Sequence, residues 1–470
     1  MTPTSRSPEI QPRLESVDLG GADAESDVRL EDHFVTTPYV SAALNGRRRI
    51  FLGRKGAGKS ALWRSLPRLA KEQLEVVLLS PDDYSTEALQ GFTNGAFLAE
   101  KERAQAWKLW LVSEAAARFV SIKWDPRAMA QVDELRRVLN KLYQADARSA
   151  VVALAQRVRQ VNFSVFGLGI GVTQEPEHRR RLLRDATSEL LEGLKPLLAI
   201  RGAVVGIDRL DDAWDGSDES KTTLIGLLRA AKELNDTVRG NYSDSGLRIL
   251  VFLRSEIYES LTFEDKDKHH TYEQTVAWND RLLTEMVLLR VPDFSSVDEL
   301  FERGRMDAQS SAFQYILRRT FMRPRELLQF LDECFRVALS QGAEHKILRR
   351  HVREAEKTYS HWKVGDLIQE YRHVYPELQA VLQALRGGLP EYSSADEVAR
   401  FLEAADGLQL TPDLIDVYID RLFEISVLGI RDLRDGARYR AEQPNLVMDR
   451  DARLVIHPSL HRELELRRPQ

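Results

Sequence analysis

An α/β fold with a parallel sheet, followed by helices and a closing domain of helices and short strands, is what this sequence predicts. Three observations lead there. Apolar runs, RRIFL, LEVVLLS, AVVGID and LRILVFLRS, alternate with helical patterns, the order of a parallel sheet with crossover helices. A glycine-rich loop joins the first run to a helix. After about Val291 the strand signal fades and amphipathic helices take over.

At 470 residues, 43% of them hydrophobic, the chain is long enough for two to four folding units. Residues 1–30 are polar and without periodicity, so they are expected to be a disordered tail. Pro38 to Leu44 reads as a short helix and SALWRSLPRL as the helix behind the loop. A helical insertion is expected over about 95–200, in which Trp107, Trp110, Leu111, Ala115 and Phe119 share one face as core. Within it VNFSVFGLGIGVT reads as a strand or hairpin. The core thus covers 31–295, a helical lid 296–365, and a winged-helix-like domain 366–470, where PELQAVLQAL, ADEVARFLEA and DLIDVYIDRLFEISVLGIR precede two short strands.

The loop Gly53-Arg54-Lys55-Gly56-Ala57-Gly58-Lys59-Ser60 meets G-x-x-x-x-G-K-[ST] at every fixed position, between a predicted strand and a predicted helix. Its glycines let backbone amides turn inward around phosphates, and the helix N-terminus adds its dipole. Gly53, Lys55, Gly56, Ala57, Gly58, Lys59, Ser60 and Ala61 are therefore the expected nucleotide contacts, with a P-loop NTPase core as the fold. Lys59 is expected on the β- and γ-phosphates, and Ser60 on Mg2+.

Asp208 ends the run Ala203-Val204-Val205-Gly206-Ile207, at the strand edge where open α/β sheets bind ligands, and is the expected second Mg2+ contact. Many P-loop ATPases carry a glutamate next, but here the residue is Arg209. Asp211 and Asp212 then become candidates for a base, Asp211 first, with capping of the next segment or binding of arginines as the alternative. Arg254, after LVFL, is placed to sense the nucleotide, against a salt bridge as the plain reading. Arg323 and Arg325 of FMRPREL open a helix that reaches back to nucleotide or merely caps its own turn.

Together FLGRKGAGKSAL, GIDRLDDAW, VFLRSEIY, AWNDRLL, RPRELL and VIHPSL resemble a group of poorly characterised bacterial P-loop ATPases, related to signal-transduction (STAND-like) and initiator-type ATPases. The resemblance spans about residues 31–466. It implies that Lys59, Ser60 and Asp208 bind Mg2+ and ATP, that Arg254 is the sensor after the next strand, and that Arg323 or Arg325 belongs to the lid. A regulatory switch, in bacterial defence or stress response, is the role it implies.

Three functions compete. The first is an ATP-driven switch acting on a protein partner or as a homo-oligomer, with Arg290 and Arg305 as candidate arginines for a neighbour's site. The second is a DNA-binding ATPase using the C-terminal domain with Arg179-Arg180-Arg181 and Arg349-Arg350. The third, a phosphotransferase, lacks any sign of an acceptor pocket. The net charge of −5 gives no global pull on nucleic acid or anionic lipid. No apolar run approaches the ~18 residues of a membrane span, and the single cysteine, Cys334, lies in an apolar helical pattern, so a reducing cytoplasm is expected. His269-His270 reads as a polar loop, because adjacent histidines diverge and no ligand spacing supports a metal.

Overall fold

The computed structural model describes residues 12–72, 74–80, 100–143, 176–238, 245–307, 310–372, 374–405, 407–408, 411–432 and 436–467. The VNFSVFGLGIGVT run lies outside them. The chain divides into two units: one holds Thr36–Arg54 and Lys59–Val276, the other Met1–Val35, Lys55–Gly58 and Ala277–Gln470.

The first of these is the α/β unit. After helix α1 (Pro38–Leu44) come β1 (Ile50–Leu52), α2 (Lys59–Leu69) and β2 (Leu74–Leu79). Helices α3 (Glu100–Ser121), α4 (Met129–Tyr143) and α5 (Pro176–Ile200) follow, and β3 (Gly202–Ile207), α6 (Asp218–Thr237), β4 (Leu247–Leu253), α7 (Ser255–Ser260) and β5 (Glu273–Thr275) complete the unit. The five strands pair in parallel in the order β2-β3-β4-β1-β5. Every residue of β3 and β4 is buried, which is why both read as unbroken apolar runs without alternation. Trp107, Trp110, Leu111, Ala115 and Phe119 of α3 are buried in the same core, and the Trp107 indole donates to Thr223 O at 3.1 Å in α6.

Two details place α2. Trp63 Nε1 donates to Gly206 O at 2.8 Å. A Cβ at Gly206 would lie 3.0 Å from the Trp63 ring, so the glycine admits the indole against β3. Because β4 lies between β1 and β3, the ends of β1, β4 and β3 stand in that order along one edge.

In the second unit, α8 (Asp280–Arg290), α9 (Pro324–Ser340) and α10 (Arg349–Tyr371) precede α11 (Leu378–Ala384), β6 (Glu391–Tyr392), α12 (Ala395–Glu403), α13 (Pro412–Glu424), β7 (Leu428–Asp432), β8 (Gly436–Arg438) and β9 (Leu454–Ile456). The last four strands make an antiparallel sheet, β6-β9-β7-β8. The helical reading of DLIDVYIDRLFEISVLGIR holds only to Glu424: Ser426 takes a left-handed φ of +67°, and the apolar residues beyond it pair as β7. Cys334 is buried in α9 as a free thiol, its pKa pushed up by burial.

Residues 12–30 differ from the mobile tail expected of them. Leu14 N donates to Glu344 O at 2.8 Å, and Leu14, Leu19 and Val35 enter the core formed with α8 and α9. Arg290, expected as a free arginine for a neighbouring site, is instead committed here. It reaches Asp27 at 3.0 Å, Leu19 O at 2.9 Å and His33 O at 3.1 Å, and all three ionisable side chains are nearly sealed from solvent. A buried guanidinium needs these acceptors, and the amino-terminal segment supplies them.

Candidate phosphate-binding site

The loop leaves β1 at Leu52 and enters α2 at Lys59. Gly56 and Gly58 have φ of +78° and +87°, values that side-chain-bearing residues adopt only with strain. These signs are those of a loop whose amides gather toward one point, ahead of a helix N-terminus.

Lys59 is folded back: its Nζ donates to Gly53 O at 2.7 Å and Arg54 O at 3.2 Å. Burial lowers its pKa, and the charges of Asp208, Asp211 and Glu256 oppose that shift. Gly53 O also accepts from Ser255 N at 3.4 Å, and Gly53 N donates to Leu253 O at 3.3 Å, so the start of the loop is stitched to the end of β4.

Asp208 is 2% exposed, and burial pushes its carboxyl up to about 6 against the lowering influence of the Ser60 hydroxyl and Lys59. Its Oδ2 is buried with no hydrogen-bond partner. An orphaned carboxylate oxygen beside a serine hydroxyl is the hard oxygen chemistry that Mg2+ takes, so Ser60 and Asp208 fit that ion as its protein ligands. When bound, Mg2+ would supply charge neutralisation at the phosphates.

Arg209 turns the chain with a left-handed φ of +60° and pairs with Asp212 at 2.7 Å. Asp211 pairs with Arg254 Nε at 2.7 Å, and the Arg254 guanidinium lies 3.8 Å from Glu256. The two candidate residues Asp211 and Arg254 are thus brought together, in the arginine-bound form of the two readings open for Asp211.

The tip, Lys55–Gly58, packs within the other unit. Arg323 Nη1 donates to Lys55 O at 3.2 Å and lies 3.1 Å from Glu370 of α10. A Cβ at Gly56 would lie 3.0 Å from that of Arg325. Trp278 Nε1 donates to Ala57 O at 2.8 Å, and its ring would lie 3.4 Å from a Cβ at Gly58. The sequence reading missed Trp278 as a site residue, although AWNDRLL carries it. Trp278→Phe removes this bond and keeps most of the ring; urea unfolding is expected to show a loss of about 1 kcal/mol, and an unchanged midpoint would mark the bond as neutral.

Other candidate residues lie elsewhere. Arg180 and Arg181 line a cleft of about 690 Å3 with Lys101, Arg229, Glu177 and others, but Arg180 reaches the buried Glu102 at 3.6 Å and Arg181 reaches Asp185 at 3.8 Å. The Arg179 side chain lies outside the described residues. Arg349 is held by Glu302 at 3.2 Å and donates to the Arg305 carbonyl at 3.3 Å. His269, read as part of a polar loop, is buried edge-on to Phe263, and burial lowers its pKa to about 4.

Residues 280–368 match the model of the FunZ-associated C-terminal helical domain. That is a match to one segment. Over 485 aligned residues the chain is 25% identical to the "Putative transposon gamma-delta 80.3 kDa protein" of Escherichia coli strain K12, covering 96% of this chain and 67% of that protein. It is 28% identical over 150 residues to Allergen Alt a 2 of Alternaria alternata, 30% of this chain and 78% of the allergen. Among solved structures, the ORC2 protein of Aeropyrum pernix in its ADPNP and ADP complexes aligns over 91% of this chain and 89% of its own, with 12% identity and a TM-score of 0.40. No helix among the described residues is long and apolar enough to cross a membrane.

Proposed function

We propose that this chain is a Mg2+-dependent ATP-binding and hydrolysing molecular switch. The observation that carries the reading is the unpartnered buried oxygen of Asp208, set beside Ser60 and Lys59 at the start of α2. A buried carboxylate with an unmet oxygen is costly, and a cation bridging it to phosphate offsets that cost. Lys59, resting on Gly53 O and Arg54 O, is a displaceable cation that would move to the β- and γ-phosphates. Gly53, Lys55, Gly56, Ala57, Gly58 and Ala61 supply the rest of the cradle.

In this proposal Arg254 reads the γ-phosphate, and Arg323 and Arg325 belong to a lid over 296–365. The sheet β6-β9-β7-β8 with α11, α12 and α13 supports a winged-helix reading of 366–470. A protein partner or a second copy is the proposed recipient of the switch, in the bacterial defence or stress setting that the family resemblance implies. DNA binding through the C-terminal domain is the alternative; the ion pairs of Arg349 weigh against its share in phosphate contacts.

The test is Mg2+-dependent ATP binding by the purified chain beside Lys59→Ala. Removing a charged donor from two phosphates is expected to weaken binding about 100-fold. Equal affinity in both proteins would sink the nucleotide reading, and salt-sensitive retention of duplex DNA would favour the alternative.

A further inference from the structure

Two cations of the candidate site rest on acceptors of the chain itself. Lys59 Nζ donates to Gly53 O at 2.7 Å and Arg54 O at 3.2 Å, and Arg254 Nε lies 2.7 Å from the Asp211 carboxylate. One frame holds both. Strands β1 and β4 pair in parallel with Leu52 opposite Leu253, and the pairing runs on into the loop. Gly53 N donates to Leu253 O at 3.3 Å, and Gly53 O accepts from Ser255 N at 3.4 Å. Both residues flanking Arg254 are thus tied to Gly53, whose carbonyl is also the acceptor for the lysine. Main-chain hydrogen bonds therefore set Arg254 at the root of the loop.

Asp211 reaches the same guanidinium from β3, the strand beside β4. Arg209, directly after Asp208, takes a left-handed φ of +60°, and the turn Leu210–Ala213 follows it. Asp212 N donates to Arg209 O at 3.1 Å and Trp214 N to Asp211 O at 3.2 Å, which closes the turn. A side-chain-bearing residue takes that backbone conformation only with strain, and strain of this kind gathers at switching segments. The Arg254 and Asp211 side chains are 18% and 22% exposed, so their attraction is screened less than that of a surface pair while both remain within reach of a ligand. A phosphate offers a guanidinium what a carboxylate offers, oxygens and negative charge, and more of each.

We propose that Asp211 is an internal stand-in for the γ-phosphate: it holds Arg254 until a triphosphate takes the guanidinium over, and so sets how strongly the site prefers ATP to ADP. The proposal rests on the nucleotide reading given above, and it makes Asp211 a positioning residue acting through Arg254. ATP displaces the carboxylate, and the turn Leu210–Ala213 then loses its anchor on the end of β4. ADP leaves the pair intact. The strained turn after Asp208 is thus the element that differs between the two nucleotide states, because only the triphosphate contacts it differently.

The experiment is titration calorimetry of the full chain with Mg2+ and either ADP or ADPNP, a triphosphate that resists hydrolysis. Wild type is compared with Asp211→Asn, Arg254→Gln and the double variant. Asp211→Asn is expected to bind ADPNP about 5-fold more tightly, because the arginine has no carboxylate to leave, and ADP within about 2-fold of wild type. Arg254→Gln should weaken ADPNP about 10-fold and again hold ADP within about 2-fold. In the Arg254→Gln background, Asp211→Asn should change ADPNP affinity by less than about 2-fold, since no guanidinium is left to release. Asp211→Ala also removes the charge and should repeat the Asp211→Asn result. An equal gain for ADP and ADPNP, or the same gain with and without Arg254, would mark general relief of negative charge and overturn the proposal. Unchanged or weakened ADPNP binding in both Asp211 variants overturns it while leaving the nucleotide reading standing, whereas a wild type that binds neither nucleotide overturns both.

Discussion

Asp208→Asn is expected to make the ligand-free protein more stable while abolishing its response to Mg2+ and ATP. The carboxyl is raised from 3.8 to about 6 by burial, so the native state holds its proton more tightly than the unfolded chain does. The stability this group contributes is fully present below its unfolded value and is lost as pH rises through about 6. At pH 7.5 the buried charge costs up to about 3 kcal/mol, which the neutral amide avoids apart from its own unmet hydrogen bonds. Calorimetry of the ligand-free proteins should show the variant melting several degrees higher at pH 7.5, with the gap roughly halved at pH 5 and closing below about pH 4. Wild type should gain further stability from Mg2+ and ATP, and the variant none. A variant that melts at or below wild type at pH 7.5 would refute the claim that Asp208 is a strained carboxylate awaiting a cation.

Lys363→Met should be among the most destabilising single changes in the unit that carries α9 and α10. Lys363 Nζ meets Glu326 at 2.5 Å and lies 3.8 Å from the centre of the Phe321 ring, and both ion-pair partners are buried. Arg323 completes the cluster at 3.4 Å from Glu326 and 3.1 Å from Glu370. Removing one cation from a sealed group of four leaves a carboxylate undercompensated, a loss of about 3–5 kcal/mol. Urea unfolding should show it as a lowered midpoint. The double change Lys363→Met with Glu326→Gln should recover part of the loss, because it removes the orphaned charge as well. If the double variant is as unstable as the two single losses added together, the cluster is not coupled as drawn.

The parts of the site that the sequence displayed are those set by local rules. Positive φ at Gly56 and Gly58, the helix start at Lys59 and the buried run before Asp208 all follow from residue type over a few positions. What it hid depends on partners far along the chain. Trp278 meets Ala57 only through tertiary packing, and nothing near AWND announces an indole donor to a loop carbonyl. The segment from Arg13 to Leu30 looked unable to order itself because its acceptors and apolar partners, Glu344, Arg290 and α9, lie hundreds of residues away. Glu424 to Arg431 misled for the opposite reason: a helical pattern continued through Ser426, where the backbone turns left-handed.

The division of the chain has a consequence for its synthesis. The unit containing residues 12–35 is completed only by Ala277 onward, and Leu14 finds its backbone partner at Glu344. At ~5–20 residues per second, a ribosome delivers that partner about 17 to 66 seconds after Leu14 emerges. Leu14, Leu19 and Val35 must stay uncovered through that interval while the α/β unit, encoded between the two halves, can already fold. The vulnerable period of this protein is therefore written into the order of its segments, and a nascent chain stalled before α9 would display an unburied apolar amino terminus.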